Sequence, residues 1–158
     1  MKHFLLVAFL LLATNVSAQE VYDYLLDKAE LVINDPKSND FDLKVAQFKS
    51  TAMRYFRKNI IQQEGSISTV WLDEQALALN EFVTNYLMEL SQNSNASESK
   101  RKKIIMRYCK ASENHPLFKD VDKEEAESFV YDKGGYTPFC LNTNWVEALE
   151  ETKEKQEN

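Results

Sequence analysis

Residues 70–90 read VWLDEQALALNEFVTNYLMEL, and their apolar side chains recur on the helical period as Leu72, Ala76, Leu79, Val83, Tyr86 or Leu87, and Leu90. Steps of three and four put such residues on one face of an α-helix. Trp71, Ala78 and Phe82 widen the stripe, so this helix is expected to touch two neighbours and to be the most buried element.

The same period runs upstream. In residues 41–63 (FDLKVAQFKSTAMRYFRKNIIQQ), Phe41, Val45, Phe48, Ala52, Phe56 and Ile60 share a face, with Lys44, Gln47, Arg54 and Lys58 on the other side. Asp40 is the expected N-cap, and the helix should run out near Gly65. Residues 21–34 place Tyr22, Leu25, Ala29, Val32 and Ile33 near helical spacing, and Asp35-Pro36 ends that segment, because the residue before proline avoids the α region. Nothing between residues 21 and 90 alternates with the period of a strand.

Downstream, residues 92–99 (QNSNASES) form a polar linker that contains the sequon Asn95-Ala96-Ser97. Residues 99–112 are expected to form a fourth helix carrying Ile104, Ile105, Tyr108 and Cys109. After His115-Pro116 the pattern weakens. Residues 122–132 read as a short helix with Ala126, Phe129 and Val130 inward, Gly134-Gly135 break it, and residues 136–141 look extended. Asn144 can cap a last helix packed through Trp145, Ala148 and Leu149, and the charged residues 150–158 should fray. The expected fold is all-α, a single-domain bundle of about five to six helices with an irregular C-terminal segment.

Composition narrows the function. The chain has 158 residues, enough for one domain, and 44% hydrophobic residues, enough for a core. Its 3 glycines cannot furnish a phosphate-cradling loop or a dinucleotide fingerprint. A net charge of −6 argues against nucleic acid as partner.

The first residues read as an address. Lys2 and His3 precede an unbroken apolar run over residues 4–13, and Val16 and Ala18 supply the small residues of a cleavage site before Gln19. The run is too short to span a bilayer, which takes about 20 apolar residues. Residues 1–18 are therefore expected to be a signal peptide cut between Ala18 and Gln19. That leaves a helical domain over residues 19–158, exported to a periplasm or secreted, with no transmembrane anchor. Cleavage removes one charged residue, Lys2, and makes the chain one unit more acidic. In an oxidising compartment the pair Cys109 and Cys140 is expected to form a disulfide that ties down the C-terminal segment.

Motifs of catalysis are missing. There is no G-x-S-x-G and no H-E-x-x-H, and His115 alone remains of the two histidines once residues 1–18 are removed. At a turn before Pro116 it reads as a structural residue rather than a general base. Asp120, Asp122, Glu124 and Glu125 suggest calcium, but an EF-hand register puts Glu125 where glycine is required and Tyr131 where the bidentate glutamate belongs. No cofactor and no metal are expected. Lys100, Arg101, Lys102 and Lys103 form a basic run near a helix N-terminus, where cations oppose the dipole. That conflict marks them, together with the rim around Tyr136, as the candidate surface for an anionic partner.

Residues 46–52 (AQFKSTA) and 136–145 (YTPFCLNTNW) resemble segments of small exported all-helical proteins of unknown function from gut-type Gram-negative bacteria. The resemblance implies a location in the periplasm or outside the cell and transfers no catalytic residue. The expected function is a non-catalytic binding module whose partner is a protein, a glycan or an anionic envelope component. The alternatives are a small hydrolase built on paired carboxylates and a secreted helical signalling bundle.

Overall fold

The computed structural model describes residues 20–65, 68–118, 126–132 and 135–154. Among these, five helices follow in order: α1 (Glu20–Asn34), α2 (Asp40–Glu64), α3 (Thr69–Gln92), α4 (Glu98–Asn114) and α5 (Trp145–Glu154). The mostly helical architecture agrees with the all-α expectation. Between α4 and α5 lies a two-stranded antiparallel hairpin, β1 (Ala126–Asp132) and β2 (Gly135–Cys140). The expected signal peptide lies outside the described residues, and no described helix is long and apolar enough to cross a membrane.

The helix ends follow capping chemistry. Asn39, not the expected Asp40, caps α2: its Oδ1 accepts the Asp42 N–H at 2.9 Å, and its Nδ2 donates back to Asp42 Oδ2 at 2.7 Å. Asp40 becomes the first helical residue and pairs with Lys44 one turn on. Gly65 closes α2 in the left-handed region at φ 67°, its N–H donating to the Ile61 carbonyl. Beyond Pro36, Ser38 Oγ donates to the Val32 carbonyl at 2.7 Å and folds the α1–α2 connection back on α1. The N-terminus of α1 is capped from a distance, the Tyr22 N–H donating to the Asp73 carboxylate of α3 at 2.8 Å.

Helix α3 is the hub. Ten of its residues are buried, among them Leu72, Ala76, Leu79, Phe82, Val83 and Tyr86. It touches α1, α2, α4 and α5. Phe82 sits among three rings from three other elements, with centroids 5.1 Å from Tyr108 of α4, 5.3 Å from Phe139 of β2 and 5.4 Å from Trp145 of α5. Phe48 of α2 meets Phe139 and Trp145 from the far side, each at 6.0 Å. All these contacts are edge-to-face, the arrangement that ring quadrupoles favour.

The expected helix over residues 122–132 is corrected: residues 126–132 form β1, and residues 119–125 lie outside the described residues. Ala126, Phe129 and Val130 fit a helical spacing, but Phe129-Val130-Tyr131 is a run of strong strand formers leading into Gly134-Gly135, the signature of a hairpin. The register runs from Ala126 opposite Cys140 to Asp132 opposite Gly135, with a bulge between Ser128 and Val130 that leaves Phe129 without an opposite residue. Strand β1 lies against α2 and β2 against α4.

The disulfide is a second correction. No bond joins Cys109 and Cys140, although they belong to neighbouring elements. Ser112 links their backbones, its Oγ donating to the Cys109 carbonyl at 3.0 Å and accepting the Cys140 N–H at 3.3 Å. The Cys140 thiol faces the Asn142 carbonyl at 3.8 Å. Polar side chains do the tying instead. Asn142, 1% exposed, accepts the Phe118 N–H at 2.6 Å and donates to the Phe118 carbonyl at 2.5 Å. Thr143 Oγ1 bonds the Ser112 carbonyl at 2.7 Å. Asn144 caps α5 as expected and accepts from Gln75 Nε2 at 2.8 Å, while Gln75 Oε1 accepts the Trp145 N–H at 2.8 Å. Helix α5 runs to Glu154 with Thr152 buried and Lys153 paired with Glu81 of α3 at 2.9 Å.

Two substitutions test this architecture by urea denaturation. Phe82→Ala should cost about 3–5 kcal/mol through lost burial and a residual cavity. Asn142→Ala should cost about 2–4 kcal/mol by leaving both polar groups of the Phe118 backbone buried and unpaired. An unchanged midpoint in either variant would contradict the packing described.

Candidate functional site

The basic run falls on the exposed start of α4. Ser97 caps this helix, its Oγ accepting the Lys100 N–H at 3.3 Å, and Glu98 supplies the acid that the first turn favours. Lys100, Lys102 and Lys103 are exposed and Arg101 is half-buried. The buried face of α4 carries Ile104, Tyr108, Ala111 and Ser112, and the helix packs against α3, α5 and β2. On the outward side Ser99, Lys102, Lys103, Met106, Arg107 and Lys110 form one open, shallow helix face.

The structure thus joins two of the four expected cations to four residues that were not expected there, Ser99, Met106, Arg107 and Lys110. Lys100 and Arg101 do not belong to this face. Met106 and Lys110 follow Lys102 and Lys103 at helical spacing, so the signal was present in the period. Arg107 anchors the helix: its guanidinium pairs with Glu89 of α3 and lies 5.2 Å over the Tyr108 ring. The Tyr108 hydroxyl donates to Glu89 at 3.3 Å, and burial, reinforced by the Glu89 charge, pushes its pKa up to about 12. Tyr136 stands opposite Tyr131 in the hairpin ladder, where the extended backbone expected from residue 136 onward is strand β2; its side chain lies outside the described residues.

A second feature, absent from the sequence reading, is Lys49. It neighbours Phe48 on α2 and reads as a surface lysine, but α1 and α3 close around it. Its Nζ donates to Asn80 Oδ1 of α3 at 2.8 Å and forms no ion pair among the described residues. Burial lowers its pKa to about 8. It reaches into a groove of about 480 Å³ between α1, the α1–α2 connection, α2 and α3.

His115 follows α4 and latches α5. Its Nδ1 is 3.2 Å from Glu147 and its Nε2 2.6 Å from Glu151, two carboxylates one turn apart, and its carbonyl accepts the Asn144 N–H at 2.5 Å. Both ring nitrogens face carboxylates, which leaves neither to activate a nucleophile in this arrangement. Burial, with the Glu113 charge adding, pushes the Cys109 thiol up to about 11, opposite to what a thiolate nucleophile needs. Among the described residues no group of three or more His, Cys, Asp or Glu is placed to hold a metal ion.

The state of Lys49 predicts a pH-dependent stability. Its folded pKa lies below the unfolded value of 10.5, so its charged form is disfavoured by folding. That penalty is present in full below about pH 8 and is relieved as pH rises toward 10.5. Lys49→Met keeps the stem and removes the charge. It should gain about 1–2 kcal/mol at pH 7, with solvent screening at the groove mouth taken into account, and the gain should shrink at pH 10. Urea midpoints at the two pH values read this; a variant destabilised equally at both would refute it.

In comparison with known proteins, no family model matches the chain, and neither a curated protein nor a solved structure matches it.

Proposed function

We propose that this chain is an exported, non-catalytic helical binding module that meets an anionic partner of the cell envelope through the outward face of α4. One observation carries the reading: Lys102, Lys103, Met106 and Lys110 share one exposed helix face in a chain whose net charge is −6. A local cationic stripe with an apolar residue at its centre gives an acidic surface both attraction and a contact to bury. The lock between His115 and α5 accounts for the lone imidazole of the helical domain without catalysis. Export rests on the N-terminal run of residues 4–13 before Val16 and Ala18.

Two experiments bear on it. N-terminal sequencing of the exported form should begin at Gln19; an intact Met1 form in washed membranes would overturn the export reading. Residues 19–158 should bind phosphatidylglycerol vesicles or a phosphorylated glycan, and binding should weaken as salt rises. Replacing Lys102, Lys103 and Lys110 by Gln should weaken it about tenfold or more with the fold intact. Unchanged binding would refute the assignment of α4. Turnover of ester, peptide or glycosidic substrates that is lost on a single Asp or Glu substitution would favour the hydrolase alternative.

A further inference from the structure

The groove around Lys49 has a composition that the α4 surface lacks, and α4 contributes no residue to it. Its walls mix polar and apolar side chains, and the apolar stretch comes from Leu25, Ala29 and Val32 of α1 and Phe41 and Val45 of α2, with Leu87 of α3 beyond. A second, much smaller void of about 10 Å³ continues beneath Lys49 beside Leu25, Met53 and Leu79, so the ammonium stands where the groove meets the core. The charged groups facing the groove are Lys28 of α1, Asp35 and Lys37 of the connection, and Asp42 and Lys49 of α2; α3 supplies the neutral Asn80 and Leu87. The two acids and the two outer lysines balance one another. Asp35 accepts the Lys37 N–H at 2.9 Å, Asp42 is engaged by the Asn39 cap, and Lys28 lies 5.4 Å from the Tyr24 ring.

Lys49 is left with a neutral partner. An ammonium carries three donors, and the Asn80 amide oxygen takes one. A cation half withdrawn from water, with donors to spare and hydrocarbon on either side, is complementary to an anion that brings its own hydrocarbon. The volume of about 480 Å³ is in the range of small-molecule sites. The stripe Leu25, Ala29, Val32 extends about 10 Å along α1, the length of an eight- to ten-carbon chain.

We propose that the α1–α2–α3 groove is a binding site for a medium-chain monocarboxylate, its hydrocarbon lying between α1 and α2 and its carboxylate on the Lys49 ammonium. No bond is made or broken. The site is independent of the α4 surface, so either assignment can fail without the other.

The probe is decanoate, measured by calorimetry on residues 19–158 below its aggregation concentration, with decanol and decyltrimethylammonium as neutral and cationic counterparts. Decanoate should bind saturably and at least tenfold tighter than either. Its affinity should fall as pH rises through about 8, where Lys49 loses its proton. Lys49→Met should weaken decanoate at least tenfold, leave decanol unchanged and flatten the pH profile. A measurement on the unsubstituted protein guards against a misfolded variant: in a correlation spectrum of lysine Cε and Nζ, decanoate should move the Lys49 titration midpoint upward and leave Lys102 and Lys103 in place. Decanol binding as tightly as decanoate, decanoate binding unaffected by the substitution, an unmoved Lys49 midpoint, or no saturable binding would each overturn the proposal.

Discussion

Edge-to-face packing around one ring, Phe82, holds this protein together. Four chain segments reach that ring or its immediate neighbours, and each supplies a ring of its own: Phe48 from α2, Tyr108 from α4, Phe139 from β2 and Trp145 from α5. Because a ring prefers to present its edge to another's face, each contact restricts the angle as well as the distance at which an element docks. A two-stranded hairpin is marginal by itself in water. Here Phe139 inserts into the helical core, and the strands are held by α2 and α4 rather than by a larger sheet.

The polar groups that accompany this cluster sit where elements meet. Asp73 closes the end of α1, Gln75 engages both Asn144 and the α5 backbone, and Asn142 satisfies the chain at Phe118. These bonds fix register between elements that hydrophobic contact alone would leave free to slide. The two candidate surfaces follow from the same arrangement. With its inner face committed to Tyr108 and Ile104, α4 turns its lysines outward. With α1 and α3 flanking α2, Lys49 is drawn half out of water although its helical position looks like surface.

Much of this was legible from the helical period. The stripes through Leu72, Phe82 and Tyr86 and through Phe48 and Phe56 place the core correctly, because burial in a helical bundle imposes that spacing. The cap of α2 slipped by one residue, as Asn39 and Asp40 are both good caps and the choice depends on backbone geometry. Residues 126–132 misled because Ala126, Phe129 and Val130 satisfy a helical spacing over too few residues to discriminate, while strand propensity and the two glycines pointed the other way. The cysteine pair misled because a count of two fixes neither the separation nor the direction of the two side chains. On α4, Lys102 and Lys103 were readable as a run, but their grouping with Met106 and Lys110 needed the face. Lys49 carried no local signal, since its environment comes from α1 and α3.

The polar clasp at residues 142–145 has a consequence for the order in which the molecule is made. Gln75 and Trp145 are bonded across 70 positions of sequence, so α3 emerges during synthesis long before the side chain that fills its side. Until Trp145 and Phe139 arrive, Phe82 and Phe48 have open space beside them and an apolar seam faces water. Closure of so long a loop must precede the contacts that reward it, so the core around Phe82 is completed only after Trp145 has been made.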